Sequence, residues 1–109
     1  MNGLEKHHIV FKSQGGLDFA WNYMFLTPEQ HRGNEGPHRN RERDLELKRS
    51  MQKNLKGILR EKDYTLEGII KTLGLKRKQA EKAFKRVTCR GGKYKTEDII
   101  RRLMGGKLY

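Results

Sequence analysis

All four histidines of this 109-residue chain lie between positions 7 and 38. They are His7, His8, His31 and His38, and the first two are adjacent. Imidazole serves both as a metal ligand and as a proton acceptor near neutral pH. A cluster of this residue type in one segment therefore indicates a metal site, a general base, or both.

The adjacent pair predicts a division of labour between His7 and His8. The segment has the composition of a strand, and neighbouring side chains of a strand point to opposite faces. The two imidazoles therefore cannot both bind one metal ion from a regular strand. One is expected to be a ligand and the other a base, and strand geometry alone does not assign the two roles.

Four features follow one another between residue 4 and about residue 40: LEKHHI at 4–9, Gly15-Gly16, Asn22 ahead of an apolar run, and His31 beyond it. In these features the segment resembles the HNH, or ββα-metal, endonuclease family. The similarity does not include paired Cys-x-x-Cys motifs, which many members of that family carry, because Cys89 is the only cysteine.

The resemblance implies a role for each matched residue. His7 and His31 would bind a metal ion, His8 would be the general base, and Asn22 would brace the loop that carries the base. The implied cofactor is one divalent cation, Mg²⁺, Mn²⁺ or Zn²⁺, and the implied substrate is DNA. In such a site the cation neutralises charge on the scissile phosphate, while a neutral imidazole takes a proton from water.

The pattern offers two candidates for the third metal ligand, because the chain departs from the commoner spacing of the family. That spacing puts a second histidine four residues after His31, where this chain has Glu35. His38 follows after a break of two glycines and a proline. Either side chain could complete the site. We favour His38, because an all-imidazole set is familiar in the family and the break otherwise has no evident purpose.

Strand, turn and cap signals predict the elements that position these residues. The apolar runs 8–11 and 22–26 predict two strands with a loop between them. Thr27 to Gln30 (TPEQ) is a helix start with a capping box, and Gly33 to Pro37 ends that helix after about one turn. Apolar residues spaced by three and four then predict a longer helix over residues 40–60.

The C-terminal part is predicted to hold a helix-turn-helix. Thr65 caps a first helix that ends at Gly74, and a second helix has its apolar face between Ala80 and Val87. A plain helical hairpin is the alternative. Thr96 is expected to cap a last helix, after a small hairpin at Arg90 to Lys93. The second helix is the candidate DNA-binding helix, with the cations Lys76, Arg77, Lys78, Lys82, Lys85 and Arg86.

Net charge is distributed unevenly along the chain. The formal charge is +12, residues 1–44 contain six basic and six acidic groups, and residues 45–109 therefore carry the whole excess. A nucleic-acid backbone is the natural partner for so basic a segment. A solvated lysine-rich surface is the plainer alternative.

Hydrophobic residues are only 34% of the chain, so the core must be small. Trp21, Tyr23 and Phe25 are expected to be packing residues rather than platforms on which bases stack. No apolar run approaches membrane-spanning length, and a single cysteine gives no disulfide framework. The sequence therefore predicts a soluble cytoplasmic protein without a membrane partner.

The predicted fold class is α+β, in three parts. A ββα-metal catalytic unit occupies residues 1–44, an amphipathic linking helix residues 45–62, and a basic helix-turn-helix-like region residues 63–109. The predicted function is an HNH endonuclease similar to compact phage and prophage nucleases, which nicks DNA or, as a homodimer, cuts both strands. The alternative is a non-catalytic DNA-binding or protein-interaction module, in which the ββα unit is a scaffold stabilised by a bound metal ion.

Overall fold

The computed structural model describes residues 3–109, and these residues form an α+β fold. They contain five α-helices and two small antiparallel sheets. Two short 3₁₀ helices, Lys12–Gln14 and Ala20–Asn22, lie between the first two strands. The elements in order are β1 (Glu5–His8), β2 (Tyr23–Leu26), α1 (Pro28–Arg32), α2 (Arg41–Leu59), β3 (Asp63–Tyr64), α3 (Leu66–Leu73), α4 (Arg77–Ala83), β4 (Tyr94–Lys95) and α5 (Thr96–Leu103).

Strands β1 and β2 form a hairpin that pairs His7 with Met24 and His8 with Tyr23. The first strand was predicted at residues 8–11, which is three residues later than the observed β1. The ladder ends at His8. Beyond it, the backbone N–H and C=O of Val10 form hydrogen bonds with the side chain of Asn22 and not with a partner strand. The second strand begins one residue later than predicted.

The cap signal of α1 and the helix predicted over residues 40–60 are confirmed. The hydroxyl of Thr27 accepts from the backbone of Gln30, whose side chain accepts from the backbone N–H of Thr27. Helix α1 ends at Arg32, as the Gly/Pro break predicts. Helix α2 is capped by Asn40 and buries one face, formed by Leu47, Lys48, Met51, Gln52, Leu55 and Leu59.

The C-terminal elements agree with the prediction in part. Thr65 caps α3, and Gly74 follows it in the left-handed conformation with φ +70°. Helix α4 ends at Ala83, earlier than the spacing indicated. Thr96 does not cap α5 but is its first residue, and its hydroxyl donates to the carbonyl of Lys62, the residue before β3. The turn from Arg90 to Lys93 is the hairpin that was expected.

One hydrophobic core joins the N-terminal and C-terminal parts of the described chain. It brings Val10 and Phe19 together with Met51, Phe84 and Met104 in a single cluster. The core is therefore continuous across residues 44 and 62. None of the helices in residues 3–109 is both long and apolar enough to cross a membrane.

None of the three aromatic residues that were predicted to pack belongs to the hydrophobic core cluster, and Tyr23 packs instead against His8. Trp21 is 43% exposed and Phe25 is 58% exposed, whereas Tyr23 is half-buried. Phe25 points away from the core because it alternates with the buried Leu26 on β2. The packing prediction was therefore wrong for Trp21 and Phe25.

Candidate metal centre and the face of His8

Three histidines from different segments meet beside the hairpin. His7 lies on β1, His31 on α1, and His38 in the turn before α2. Each offers a ring nitrogen, and these three nitrogens lie within 4.8 Å of one another. The spacing allows all three imidazoles to contact one metal ion. His38 is exposed, so the group is open to solvent on that side.

His7 is the buried member of this group. Its side chain is 1% exposed, and neither ring nitrogen has a hydrogen-bond partner among residues 3–109. A buried polar group without a partner costs about 1–3 kcal/mol, so native proteins rarely retain one without a reason. Burial, with the neighbouring charges of His38 and His31, lowers the pKa of His7 to about 4. The ring is thus held in the neutral state that binds metals.

His31 is oriented by a carboxylate. Its Nδ1 lies 2.9 Å from Glu5 Oε1, and Arg32 holds the other oxygen of that carboxylate at 2.7 Å. The hydrogen bond to His31, then the one to Arg32, lowers the pKa of Glu5. This contact leaves Nε2 of His31 free to be a ligand, in the arrangement typical of metal-bound histidines. This role of Glu5 was not predicted from the sequence, although period-two alternation places Glu5 on the same face of β1 as His7.

The Gly/Pro break brings His38 to the group. A Cβ at Gly36 would lie 2.5 Å from the carbonyl oxygen of His31, so only glycine allows the chain to turn back this closely. The ring of His38 then packs against Phe11, with centroids 4.7 Å apart. Glu35, the alternative third ligand, instead accepts a hydrogen bond of 3.0 Å from Asn40.

A buried ion pair lies behind the histidines. The ammonium of Lys48 is fully buried and contacts both carboxylate oxygens of Asp44, at 2.6 and 2.7 Å. It also lies 4.1 Å from the centroid of Phe11, whose ring touches His38. This lysine was not singled out in the sequence, where it is one of 25 basic residues.

His8 faces away from the three histidines. Its Nε2 lies 2.7 Å from Oδ1 of Asp18, and its ring packs edge-on against Tyr23. The side chain is 19% exposed, in contrast to the buried His7. The two adjacent imidazoles therefore occupy different environments on opposite faces of β1.

Asn22 ties together the two ends of the loop between the strands. It is fully buried, and its Oδ1 accepts from Val10 N at 2.8 Å. Its Nδ2 donates to the carbonyls of Val10 and Leu17, at 3.1 and 2.9 Å. These contacts fix the backbone of the loop that follows His8.

The six basic residues of the candidate DNA-binding helix are all exposed. Arg77 pairs with Glu67, with Nη2 and Oε1 2.5 Å apart. The helix itself contacts the loop near His8 through Gln79, which the sequence gave no reason to select. The surface of α4 is thus continuous with the surface that carries His8.

Comparison of this chain with protein-family models, with curated proteins and with solved structures finds no match. The chemistry of the site is therefore inferred from its own geometry. Three imidazoles can hold one cation, and a fourth imidazole on the opposite face of β1 has a carboxylate partner.

Proposed function

We propose that this chain is a metal-dependent endonuclease of the HNH type, which hydrolyses phosphodiester bonds of DNA. Its catalytic part would be a ββα-metal unit made of β1, β2 and α1. The observation that carries the proposal is the buried imidazole of His7, which has no partner in the described chain and lies beside His31 and His38. His8 follows it directly on the other face of the strand.

The donor set fits a divalent transition metal. Imidazole nitrogen suits zinc, iron and copper, whereas Mg²⁺ prefers oxygen ligands. Three protein ligands also leave a coordination position open, as in catalytic zinc sites. We therefore expect Zn²⁺ to be held more tightly than Mg²⁺ by His7, His31 and His38. When bound, the cation would neutralise charge that develops on the scissile phosphate.

His8 is the general base in this proposal. It is partly exposed, so a water molecule can reach its ring, and a positioned base contributes about 10²–10⁴-fold to the rate. Asn22 does not touch the substrate. It holds the backbone on both sides of the loop and so aims His8.

DNA would be held by the basic C-terminal region. The exposed cations of α4 offer contacts to phosphates that do not depend on base sequence. One active site cleaves one strand, so a double-strand break requires either two successive events or a homodimer.

The proposal is tested by nicking of a supercoiled plasmid. The full chain is freed of metal with a chelator, and Zn²⁺, Mn²⁺ or Mg²⁺ is added back. We expect nicking only with metal, and a rate at least 10²-fold lower for His8→Ala at equal metal content. Ser13→Ala, at an exposed position in the same loop region, is the control and should nick at the wild-type rate.

Two results would contradict the proposal. If the wild-type protein fails to nick DNA whichever of the three metals is added, the chain is better explained as the non-catalytic module, in which a metal ion only stabilises the ββα unit. If His8→Ala nicks as fast as the wild type, the base lies elsewhere.

A further inference from the structure

We propose that Asp18 is a positioning residue that fixes the ring orientation and the tautomer of His8, and that Gln79 of helix α4 holds Asp18 in place. This inference rests on the nuclease function proposed above. It assigns to the basic C-terminal region a part in the chemistry in addition to DNA binding.

The contact between His8 and Asp18 selects one tautomer of the imidazole. An ionised carboxylate only accepts hydrogen bonds, so the Nε2 that lies 2.7 Å from Oδ1 must carry the proton. Nδ1 then keeps its lone pair, and it makes no hydrogen bond to any residue in the described range 3–109. A general base needs such a free lone pair directed at the water from which it takes a proton.

The carboxylate of Asp18 is itself held by its neighbours. The hydroxyl of Tyr23 donates to Oδ1 at 3.2 Å, and Lys12 Nζ lies 3.4 Å from Oδ2. Tyr23 also packs edge-on against the ring of His8, with centroids 5.2 Å apart. The ring of His8 is therefore restrained both by its hydrogen bond and by packing.

Gln79 holds the backbone of Asp18 from the other half of the chain. Its Oε1 accepts from Asp18 N at 2.6 Å, and its Nε2 donates to Asp18 O at 2.9 Å. The residues on either side of Asp18, Leu17 and Phe19, are buried in the core. The peptide groups of Asp18 are thus fixed, and its side chain is left to face His8.

This arrangement connects DNA binding with the base. Lys76 and Lys82 are three residues before and after Gln79, so they share its side of the helix. Phosphate contacts made by these lysines would lie beside the loop that carries Asp18. A change at Gln79 should therefore lower kcat, whereas a change at either lysine should mainly weaken DNA binding.

The decisive variant is Asp18→Asn. The amide keeps the size of the carboxylate and can still form a hydrogen bond to His8, so a purely structural role would be preserved. However, an amide can donate to Nε2, which moves the proton of His8 to Nδ1 and removes the free lone pair. In a catalytic triad the equivalent loss of the correct tautomer is severe. We expect a kcat lower by about 10²-fold or more, with KM and melting temperature near the wild-type values.

The tautomer is measured directly by long-range ¹H–¹⁵N NMR correlation on the zinc-loaded full chain. We expect His8 to be protonated on Nε2 in the wild type and to lose this preference in Asp18→Asn. Gln79→Ala should lower kcat in the same direction but by less. Ser13→Ala, at an exposed position of the same loop whose side chain contacts neither Asp18 nor His8, is the control and should keep both the tautomer and kcat.

The inference and the proposed function fail in different ways. If the wild type nicks DNA and Asp18→Asn nicks equally fast, or if wild-type His8 carries its proton on Nδ1, the positioning role of Asp18 is overturned. If the wild type nicks no DNA, the proposed function is overturned. In that case the NMR comparison still decides whether Asp18 fixes the tautomer of His8.

Discussion

The environment of His7 determines what this site can hold. Its ring is 1% exposed, and neither nitrogen has a partner in residues 3–109, so burial has removed water without replacing its hydrogen bonds. A metal bond would offset that loss. One ring nitrogen of His31 is hydrogen-bonded to Glu5, and this contact fixes the orientation of the ring, as is usual for a histidine that binds a metal.

We expect Glu5→Gln to weaken metal binding by about 10–100-fold, because an amide holds the ring of His31 less firmly than a carboxylate does. His31→Ala should weaken it further, since a ligand is lost. The measurement is a zinc titration by calorimetry. The control is Glu29→Gln on the exposed side of α1, which should bind zinc as the wild type does. Equal affinities for wild type and Glu5→Gln would show that Glu5 does not support the site.

We expect the metal-free protein to lose stability as the pH falls from 6.5 towards 4. The pKa of His7 is about 4 in the fold, against an ordinary value of 6.5, so in this range the unfolded chain takes up a proton that the folded chain does not. The free energy of unfolding should therefore decrease on acidification through this window. Above pH 6.5 this histidine contributes no pH dependence.

Urea unfolding at several pH values measures this effect, with chelator present throughout. His7→Asn should show a weaker dependence between pH 6.5 and 4, because it has no imidazole to protonate. A wild-type protein that becomes more stable on acidification in this range would contradict the buried, neutral assignment of His7.

Among the helices and strands, the boundaries that could be predicted from the sequence are those set by residues close together in the chain. The caps at Thr27 and Thr65 and the break at Gly33 to Pro37 place α1 and α3 correctly, since their hydrogen bonds join residues a few positions apart. The end of β1 and the start of α5 were misplaced. At both positions the chain makes hydrogen bonds with distant partners, Asn22 for β1 and Lys62 for α5, that no local pattern reveals.

The same limit applies to the candidate site. Residue type and order were enough to select the histidines and Asn22, which the structure brings to one hairpin and its flanking turns. Glu5, Asp18 and Gln79 are ordinary polar residues in the sequence. Their contacts depend on strand register and on the docking of α4 against the loop between β1 and β2. Gln79 of that helix is 61 residues from Asp18 in the sequence.

We expect Asn22→Ala to destabilise the metal-free protein by about 2–4 kcal/mol. The change leaves a buried N–H and two carbonyls of the loop without their partner, and each such group costs about 1–3 kcal/mol. Urea unfolding measures the effect, and Asn54→Ala at an exposed position of α2 is the control. A loss below about 0.5 kcal/mol would show that the loop does not depend on Asn22.

In the molecule as a whole, the net charge lies in one half of the chain, whereas the hydrophobic core includes residues of both halves. The net charge of +12 belongs to residues 45–109, yet the hydrophobic core runs through both halves. Arg102 strengthens the connection, since it donates to the carbonyls of Ala83 and Gly15 at 2.9 and 3.0 Å. The basic region is therefore fixed against the loop of the candidate site.

We expect the affinity for DNA to fall with salt, and the slope of log K against log[salt] to flatten by about one to two when Lys82 and Lys85 are both changed to Ala. Both side chains are exposed on or just after α4. Fluorescence anisotropy with a labelled duplex measures the slope. The matched control is Lys53→Ala with Lys56→Ala, which removes the same charge from α2. If both pairs changed the slope equally, binding would depend on net charge and not on α4.

The central claim is that His7, His31 and His38 hold one metal ion, and anomalous X-ray diffraction from zinc-soaked crystals tests it most directly. We predict a single zinc peak about 2.0–2.1 Å from one ring nitrogen of each of these histidines. A peak bound instead by the carboxylate of Glu35 or Asp44, or no peak among the three imidazoles, would contradict the account.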